Sequence, residues 1–252
     1  MRTRYFKMVA AVVTFGMLAL SAAIYTDAWS QTDKVDPAAT QILQKMTAYL
    51  GGLKQFSLHT QTTLEDLLES GHRVDCDVSA DVIISRPNKL HAERKGDLVD
   101  QVFYYDGKSL TLHNPLDKVY ATAAAPGTIE QLLDYARESL GLTVPVADLV
   151  YRNAFELLIQ DVNFAKVVGK SVISGVRCDH LVFSRPGVDF QIWIADSGQR
   201  LPYKYVVTDT GTPALVSVTT VMSNWNVASA VPNSQFNFMP PQEAKRIDFM
   251  PL

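Results

Sequence analysis

Val74-Asp75-Cys76-Asp77-Val78-Ser79-Ala80-Asp81-Val82-Ile83-Ile84-Ser85 is the stretch that decides the fold. Val74, Cys76, Val78, Ala80, Val82 and Ile84 take alternate positions, while Asp75, Asp77, Ser79, Asp81 and Ser85 lie mostly on the other face. Successive side chains of a strand point to opposite faces, so this order of residues asks for a sheet with one covered face and one wet face. Antiparallel sheets are built that way, whereas parallel sheets are usually buried on both sides.

Upstream, Phe56, Leu58, Thr60, Thr62 and Leu64 alternate with more polar neighbours and predict a second half-buried strand. Before it, Ile42, Leu43, Met46, Tyr49, Leu50 and Leu53 recur at helical spacing, with Asp36 as N-cap, Pro37 in the first turn and Gly51-Gly52 as the stop. Downstream, Pro87-Asn88 closes the deciding strand, a short strand runs from Leu90 to Arg94, and a hairpin pairs Val102–Tyr105 with Ser109–His113 across Asp106-Gly107. A further strand is expected over Lys118–Ala121.

The pattern then becomes helical. Thr128 and Gln131 form a capping box ahead of Ile129, Leu132, Leu133, Ala136 and Leu140, and a second helix is expected over Val146–Ile159. Strands resume at Lys166–Ser174, Arg177–Ser184, Val188–Ala195, Pro202–Asp209, Ala214–Trp225 and Phe236–Phe238, and an irregular proline-containing tail follows. Helix, strand block, two helices and second strand block argue an α+β class. The expectation is a large curved antiparallel sheet, a half-barrel of ten or eleven strands, with helices over its concave face.

Arg2, Arg4 and Lys7 precede an uncharged, mostly apolar run from Met8 to Ile24, the pattern of an export signal. Ala28 and Ser30 place cleavage before Gln31, leaving 31–252 as one periplasmic domain. The alternative is an uncleaved inner-membrane anchor, for which seventeen residues is a short span. Removing 1–30 takes away three basic residues and Asp27, so the remaining chain carries a net charge of −5. No Lys/Arg run with interleaved aromatics follows residue 30, and nucleic acid is excluded as a partner class.

Chemistry finds little footing. His59, His72, His91, His113 and His180 are scattered, with no pair at metal-ligand spacing, and no GxSxG, P-loop, CxxC or GxGxxG sequence is present. Asp75, Asp77 and Asp81 share a strand face that reads as solvated surface, and Asp106-Gly107-Lys108 reads as a turn rather than a phosphate site because no helix follows it. No catalytic residue, metal or cofactor is assigned. Cys76 and Cys178 could form a disulfide in an oxidising compartment, and the competing reading is two separate thiols acting as small apolar side chains.

Binding is better motivated. Aromatic and aliphatic residues crowd the strands, and although core packing takes many of them, a wide curved sheet under few helices leaves an incompletely filled apolar interior. The candidate lining residues are Val78, Val82, Ile84, Phe103, Tyr105, Leu110, Leu112, Trp193 and Tyr205.

Several strings carry a resemblance. Phe103-Tyr104-Tyr105-Asp106-Gly107-Lys108-Ser109-Leu110-Thr111-Leu112, Arg86-Pro87-Asn88-Lys89-Leu90, Cys178-Asp179-His180-Leu181, Asp189-Phe190-Gln191-Ile192-Trp193-Ile194 and Phe236-Asn237-Phe238-Met239-Pro240-Pro241 are similar to segments of an uncharacterised bacterial family of predicted periplasmic proteins. More distantly, the Asp-Gly-Lys hairpin and the element order resemble the lipoprotein carriers and outer-membrane receptor of the Lol system. That resemblance implies a half-barrel closed by helices around a cavity for acyl chains. The function expected from both lines is non-enzymatic periplasmic binding of a lipid or of a lipoprotein's acyl chain. An envelope protein–protein module without a lipid ligand is the alternative, and an unrecognised hydrolase is a third reading.

Overall fold

The computed structural model describes residues 34–249, apart from 98, 126, 141–143 and 145. The export segment and its cleavage site lie outside the described residues. Among those described, no helix is long and apolar enough to cross a membrane.

The chain runs α1 (Pro37–Gly52), β1 (Gln55–Leu67), β2 (Arg73–Ser85), β3 (Lys89–Gly96), β4 (Asp100–Tyr105), β5 (Ser109–Asn114), β6 (Val119–Ala124), α2 (Ile129–Leu140) and α3 (Ala154–Ile159). It continues through β7 (Phe164–Ile173), β8 (Val176–Arg185), β9 (Val188–Ala195), β10 (Pro202–Asp209), β11 (Ser217–Asn226) and β12 (Lys245–Ile247). All twelve strands form one open, curved sheet in the order β12-β6-β5-β4-β3-β2-β1-β11-β10-β9-β8-β7. Each neighbouring pair is antiparallel except β12–β6. The long β1–β11 pairing joins two meanders, so the strands on either side of α2 and α3 meet at the middle of the sheet.

Register decides what the sheet covers. Phe56, Ile84, Leu90, Tyr105 and Leu110 lie opposite one another across five strands, and the next inward layer holds Leu58, Val82, Ala92, Phe103 and Leu112. On the other half, Tyr205, Ile192 and Leu181 form a row, as do Phe190 and Phe183, whose rings stack with centroids 4.8 Å apart. These inward rows join α1, α2 and α3 in one hydrophobic core. α1 covers the half containing β7 and β9 and packs on α3.

The helices begin where their caps allow. Asp36 Oδ1 accepts from the Ala38 N–H at 2.8 Å, with Pro37 leading α1. The capping box at α2 is reciprocal: the Gln131 N–H donates to Thr128 Oγ1 at 3.2 Å, and the Thr128 N–H donates to Gln131 Oε1 at 3.1 Å. At the β4–β5 turn, Asp106 Oδ1 accepts from the Lys108 and Ser109 N–H groups, both at 2.8 Å. Gly107 sits there at φ 97°, where a Cβ would fall 2.4 Å from Asn88 Nδ2.

Three expectations need correction. The helix expected over Val146–Ile159 is a 3-10 turn at Ala147–Leu149 followed by the short α3. Leu149 and Tyr151 are both buried, a two-residue spacing that one helix face cannot present. The strand expected at Phe236–Phe238 is the end of a 3-10 turn, Asn233–Phe236, and Phe238 instead lays its ring within 5.0–5.4 Å of Tyr104, His113 and Tyr120. The sheet exceeds the expected count because Lys245–Ile247, read as irregular tail, adds to β6 as its parallel neighbour.

Candidate functional site

A cavity of about 380 Å³ lies between the concave face of the first meander and a roof made by α2 with Val144, Val146, Ala147, Leu149 and Val150. Its floor comes from inward positions of five strands. β1 gives Phe56, Leu58, Thr60, Thr62 and Leu64; β2 gives Val78, Ala80, Val82 and Ile84; β3 gives Leu90, Ala92 and Arg94; Phe103 and Leu110 come from β4 and β5. Leu132, Leu133 and Ala136 of α2, with Leu149 and Val150, face them from above, and Trp225 and Met222 close the β11 side. The cavity therefore exists because strands of period two and a helix of period 3.6 each turn one apolar stripe toward the same space.

The lining has a polarity along the strands. The Phe56–Ile84–Leu90 end is apolar throughout and abuts Leu50 of α1. Two layers further along, Thr60, Ala80 and Arg94 lie opposite one another, and Thr62 follows. The hydroxyls here are engaged: Thr62 Oγ1 and Thr220 Oγ1 are 2.9 Å apart across β1 and β11, and Thr60 Oγ1 donates to the Ala80 carbonyl at 3.4 Å. Arg94 is the charged side chain in the described lining. Its Nε donates to Gln101 Oε1 at 2.8 Å, a second guanidinium nitrogen donates to the same oxygen, and its Cζ sits 5.1 Å from the Phe103 ring centroid. Burial lowers its pKa, but an arginine stays protonated through such shifts.

Buried polar contacts hold the roof to the sheet. Arg86, at the end of β2, donates through Nη1 to Glu130 Oε1 of α2 at 3.0 Å and through Nη2 to the Val150 carbonyl, so one side chain ties both roof pieces down. The Tyr151 hydroxyl donates to Asp134 Oδ1 at 2.7 Å and fastens the end of that segment back to α2. Burial first, then that carboxylate, pushes the Tyr151 hydroxyl up. Val146 takes φ 57°, a costly left-handed conformation for a β-branched residue, and lines both the main cavity and a smaller one of about 170 Å³ beside Leu64, Asp148, Tyr205 and Thr220.

Val78, Val82, Ile84, Phe103 and Leu110 stand in the main cavity wall. Tyr205 lines the smaller cavity, and burial pushes its hydroxyl up. Tyr105 and Leu112 share the inward face but lie outside the lining, Tyr105 being packed into the core. Trp193 is a correction: its neighbours Ile192 and Ile194 point inward, so it points to the outer face, stacked at 4.0 Å on His180 with Lys204 Nζ 4.8 Å from its ring. The disulfide reading is a second correction, because both cysteines are free. Cys76 on β2 and Cys178 on β8 are five strand positions apart, steps of about 4.8 Å each, against the roughly 7 Å that a disulfide tolerates between Cα atoms. Sequence reasoning also passed over the roof residues and Arg94 as lining. The α2 stripe was the signal for the first, and the inward phase Leu90, Ala92, Arg94 for the second.

Among the described residues, no cluster of His, Cys, Asp and Glu has the arrangement of a metal site.

The family model described as "Predicted periplasmic protein (DUF2092)" matches residues 39–250. No curated protein matches the sequence. Among solved structures, LprF from Mycobacterium bovis is similar at 16% identity and TM-score 0.50, over 79% of this chain and 97% of that one. The lipoprotein LppX from Mycobacterium tuberculosis is 15% identical over 78% of this chain and 100% of that one, with TM-score 0.46. A LolA superfamily protein from Nitrosomonas europaea is 12% identical over 79% and 97%, with TM-score 0.40. At 16% identity and TM-score 0.50, the likeness to LprF speaks for the fold alone.

Proposed function

The chain belongs to the DUF2092 family of predicted periplasmic proteins, and we propose that it is a non-enzymatic binding protein of the periplasm that holds a lipid, or the acyl chain of a lipoprotein, in the roofed cavity. The single observation that carries this reading is the cavity itself. About 380 Å³ of space is bounded almost wholly by aliphatic and aromatic side chains, within the size range of small-molecule sites. At about 0.8 kcal/mol per methylene, a chain of a dozen carbons in water costs on the order of 10 kcal/mol, which an apolar enclosure removes. The basic and apolar N-terminal segment, ending before Gln31, supplies export, and 31–252 is the working domain. Native mass spectrometry of protein purified from cells without detergent tests the reading: a copurified species of acyl-chain mass supports it, and a uniformly empty protein that takes up no added amphiphile refutes it.

A second reading rests on a different observation. Among the described residues, β7 is an open edge beyond its bridge to Val35, and it exposes Val168 by 53% and Val172 by 67%. An unpaired strand edge is a template for strand addition by another envelope protein. Strand addition would leave the cavity's contents unchanged, so the two readings separate in one native mass spectrum.

A further inference from the structure

We propose that the smaller cavity is a head-group subsite in which Asp148 and Tyr205 take a hydroxyl from a ligand whose chain lies in the main cavity. The inference rests on the acyl-chain reading above and names the head.

Register carries the first step. Leu64, Val218 and Val207 lie opposite one another across β1, β11 and β10, and Thr62, Thr220 and Tyr205 form the next inward row. Thr62 lines the main cavity, Thr220 and Tyr205 line the smaller one, and Leu64 and Val146 line both. The second row is therefore a polar track from one chamber into the other. At roughly 3.4 Å per residue, Thr62 stands about 20 Å along β1 from Phe56 at the apolar end, which gives a medium-length chain room to lie on the floor.

The second step is chemical. Asp148 and Tyr205 both line the smaller cavity, neither has a hydrogen-bond partner among the described residues, and Tyr205 is only 4% exposed. A buried tyrosine hydroxyl ordinarily finds a partner, because a bond left unmade costs the desolvation of the group. Thr220 is already engaged with Thr62 at 2.9 Å. Burial, then the negative charge of Asp148, push the Tyr205 hydroxyl up against the opposing charge of Arg185, so it keeps its proton as a donor.

An ionised carboxylate only accepts, whereas a phenol can donate. A ligand hydroxyl matches both at once, donating to Asp148 and accepting from Tyr205. An ester head has no proton to give, and an acid head also meets like charge. At roughly 30 Å³ per water-sized group, 170 Å³ holds about five or six such groups, enough for the end of a fatty alcohol or for a glycerol head.

The test is a head-group series on one chain length. Decanol, monodecanoylglycerol, methyl decanoate and decanoate are titrated below their solubility and micelle limits at neutral pH, with displacement of a fluorescent acyl probe as readout. Decanol should bind at least tenfold tighter than methyl decanoate, equivalent to about 1.4 kcal/mol, with decanoate weaker than decanol. That alcohol-to-ester ratio should fall toward one in both Tyr205→Phe and Asp148→Ala. Whichever of decanol and monodecanoylglycerol binds tighter shows whether the hydroxyl belongs to a fatty alcohol or to a polyol-headed lipid. Tyr205→Phe gives up no hydrogen bond within the protein, so it should melt no lower than the wild type. A clearly lower melting temperature would show the hydroxyl to be engaged by the protein already and overturns the assignment. Equal binding of decanol and methyl decanoate by the wild-type protein, or an unchanged ratio in either variant, means that the pair serves water only and also overturns it, while the cavity reading stands. If none of the four displaces the probe, the cavity reading falls as well. The wild-type series decides even if a variant does not fold.

Discussion

Arg86 and Glu130 form an ion pair at 3.0 Å between the end of β2 and the first turn of α2, with the arginine side chain only 1% exposed. Breaking a buried pair by removing one partner costs about 3–5 kcal/mol, because the other charge is left without compensation. Glu130 is itself partly exposed, so the lower end is expected: Glu130→Ala should lose about 3 kcal/mol in urea unfolding. The double variant Arg86→Met/Glu130→Leu should recover much of that loss, because it leaves no buried charge behind.

Ala80 faces the middle of the cavity between Thr60 and Arg94. A Phe at this position occupies the space an acyl chain needs, and its ring joins apolar neighbours. Ala80→Phe should keep its circular dichroism spectrum and its stability to within about 1–3 kcal/mol, the usual cost of overpacking, while bound amphiphile per protein drops severalfold by native mass spectrometry.

The period-two order of β2 singled out Val78, Val82 and Ile84, which stand in the cavity wall, whereas the lining positions of β1 and β3, such as Phe56, Leu58, Leu90 and Ala92, were not named, although the same phase runs through them. The same rule applied to Val188–Ala195 puts Phe190, Ile192 and Ile194 on one face and Trp193 with Gln191 on the other. Trp193 was misplaced because its size outweighed its phase. Its burial comes from His180 and Lys204, two polar neighbours on the outer face. The roof was harder to read. The break between Leu149 and Ala154, the left-handed Val146 and the added strand β12 all depend on tertiary contacts, Arg86 to Val150 and Lys245 to Lys118, that no local pattern announces.

His180 gives the fold a pH dependence. Burial, and then repulsion from Lys204, lower its pKa against the opposing hydrogen bond with Gln191. The unfolded chain therefore takes up its proton first as pH falls. The His180 contribution to stability is complete above the unfolded value near 6.5 and is lost as pH drops through the lowered folded value. Urea midpoints between pH 7.5 and 5 should fall for the wild-type protein, and His180→Phe should flatten that part of the profile. An equal slope in both proteins contradicts this assignment.

The two cysteines should behave as separate thiols. Cys178 is fully buried, and burial, with Asp196 and Asp179 nearby, pushes its thiol up to about 11. Cys76 is half-buried on β2. A thiol reagent should modify Cys76 in the native protein at least tenfold faster than Cys178, and both should react in denaturant without reductant. Loss of both signals unless reductant is added would restore the disulfide.

The most direct test of the central claim uses tryptophan. The chain beginning at Gln31 has two, Trp225 in the cavity wall and Trp193 on the opposite face of the sheet. A fatty acid brominated along its chain quenches tryptophan on contact, so titrating it into Trp193→Phe and Trp225→Phe variants reports which face the chain touches. The account predicts saturable quenching of Trp225 and none of Trp193. Quenching of Trp193 alone, or of neither at saturating ligand, would contradict it.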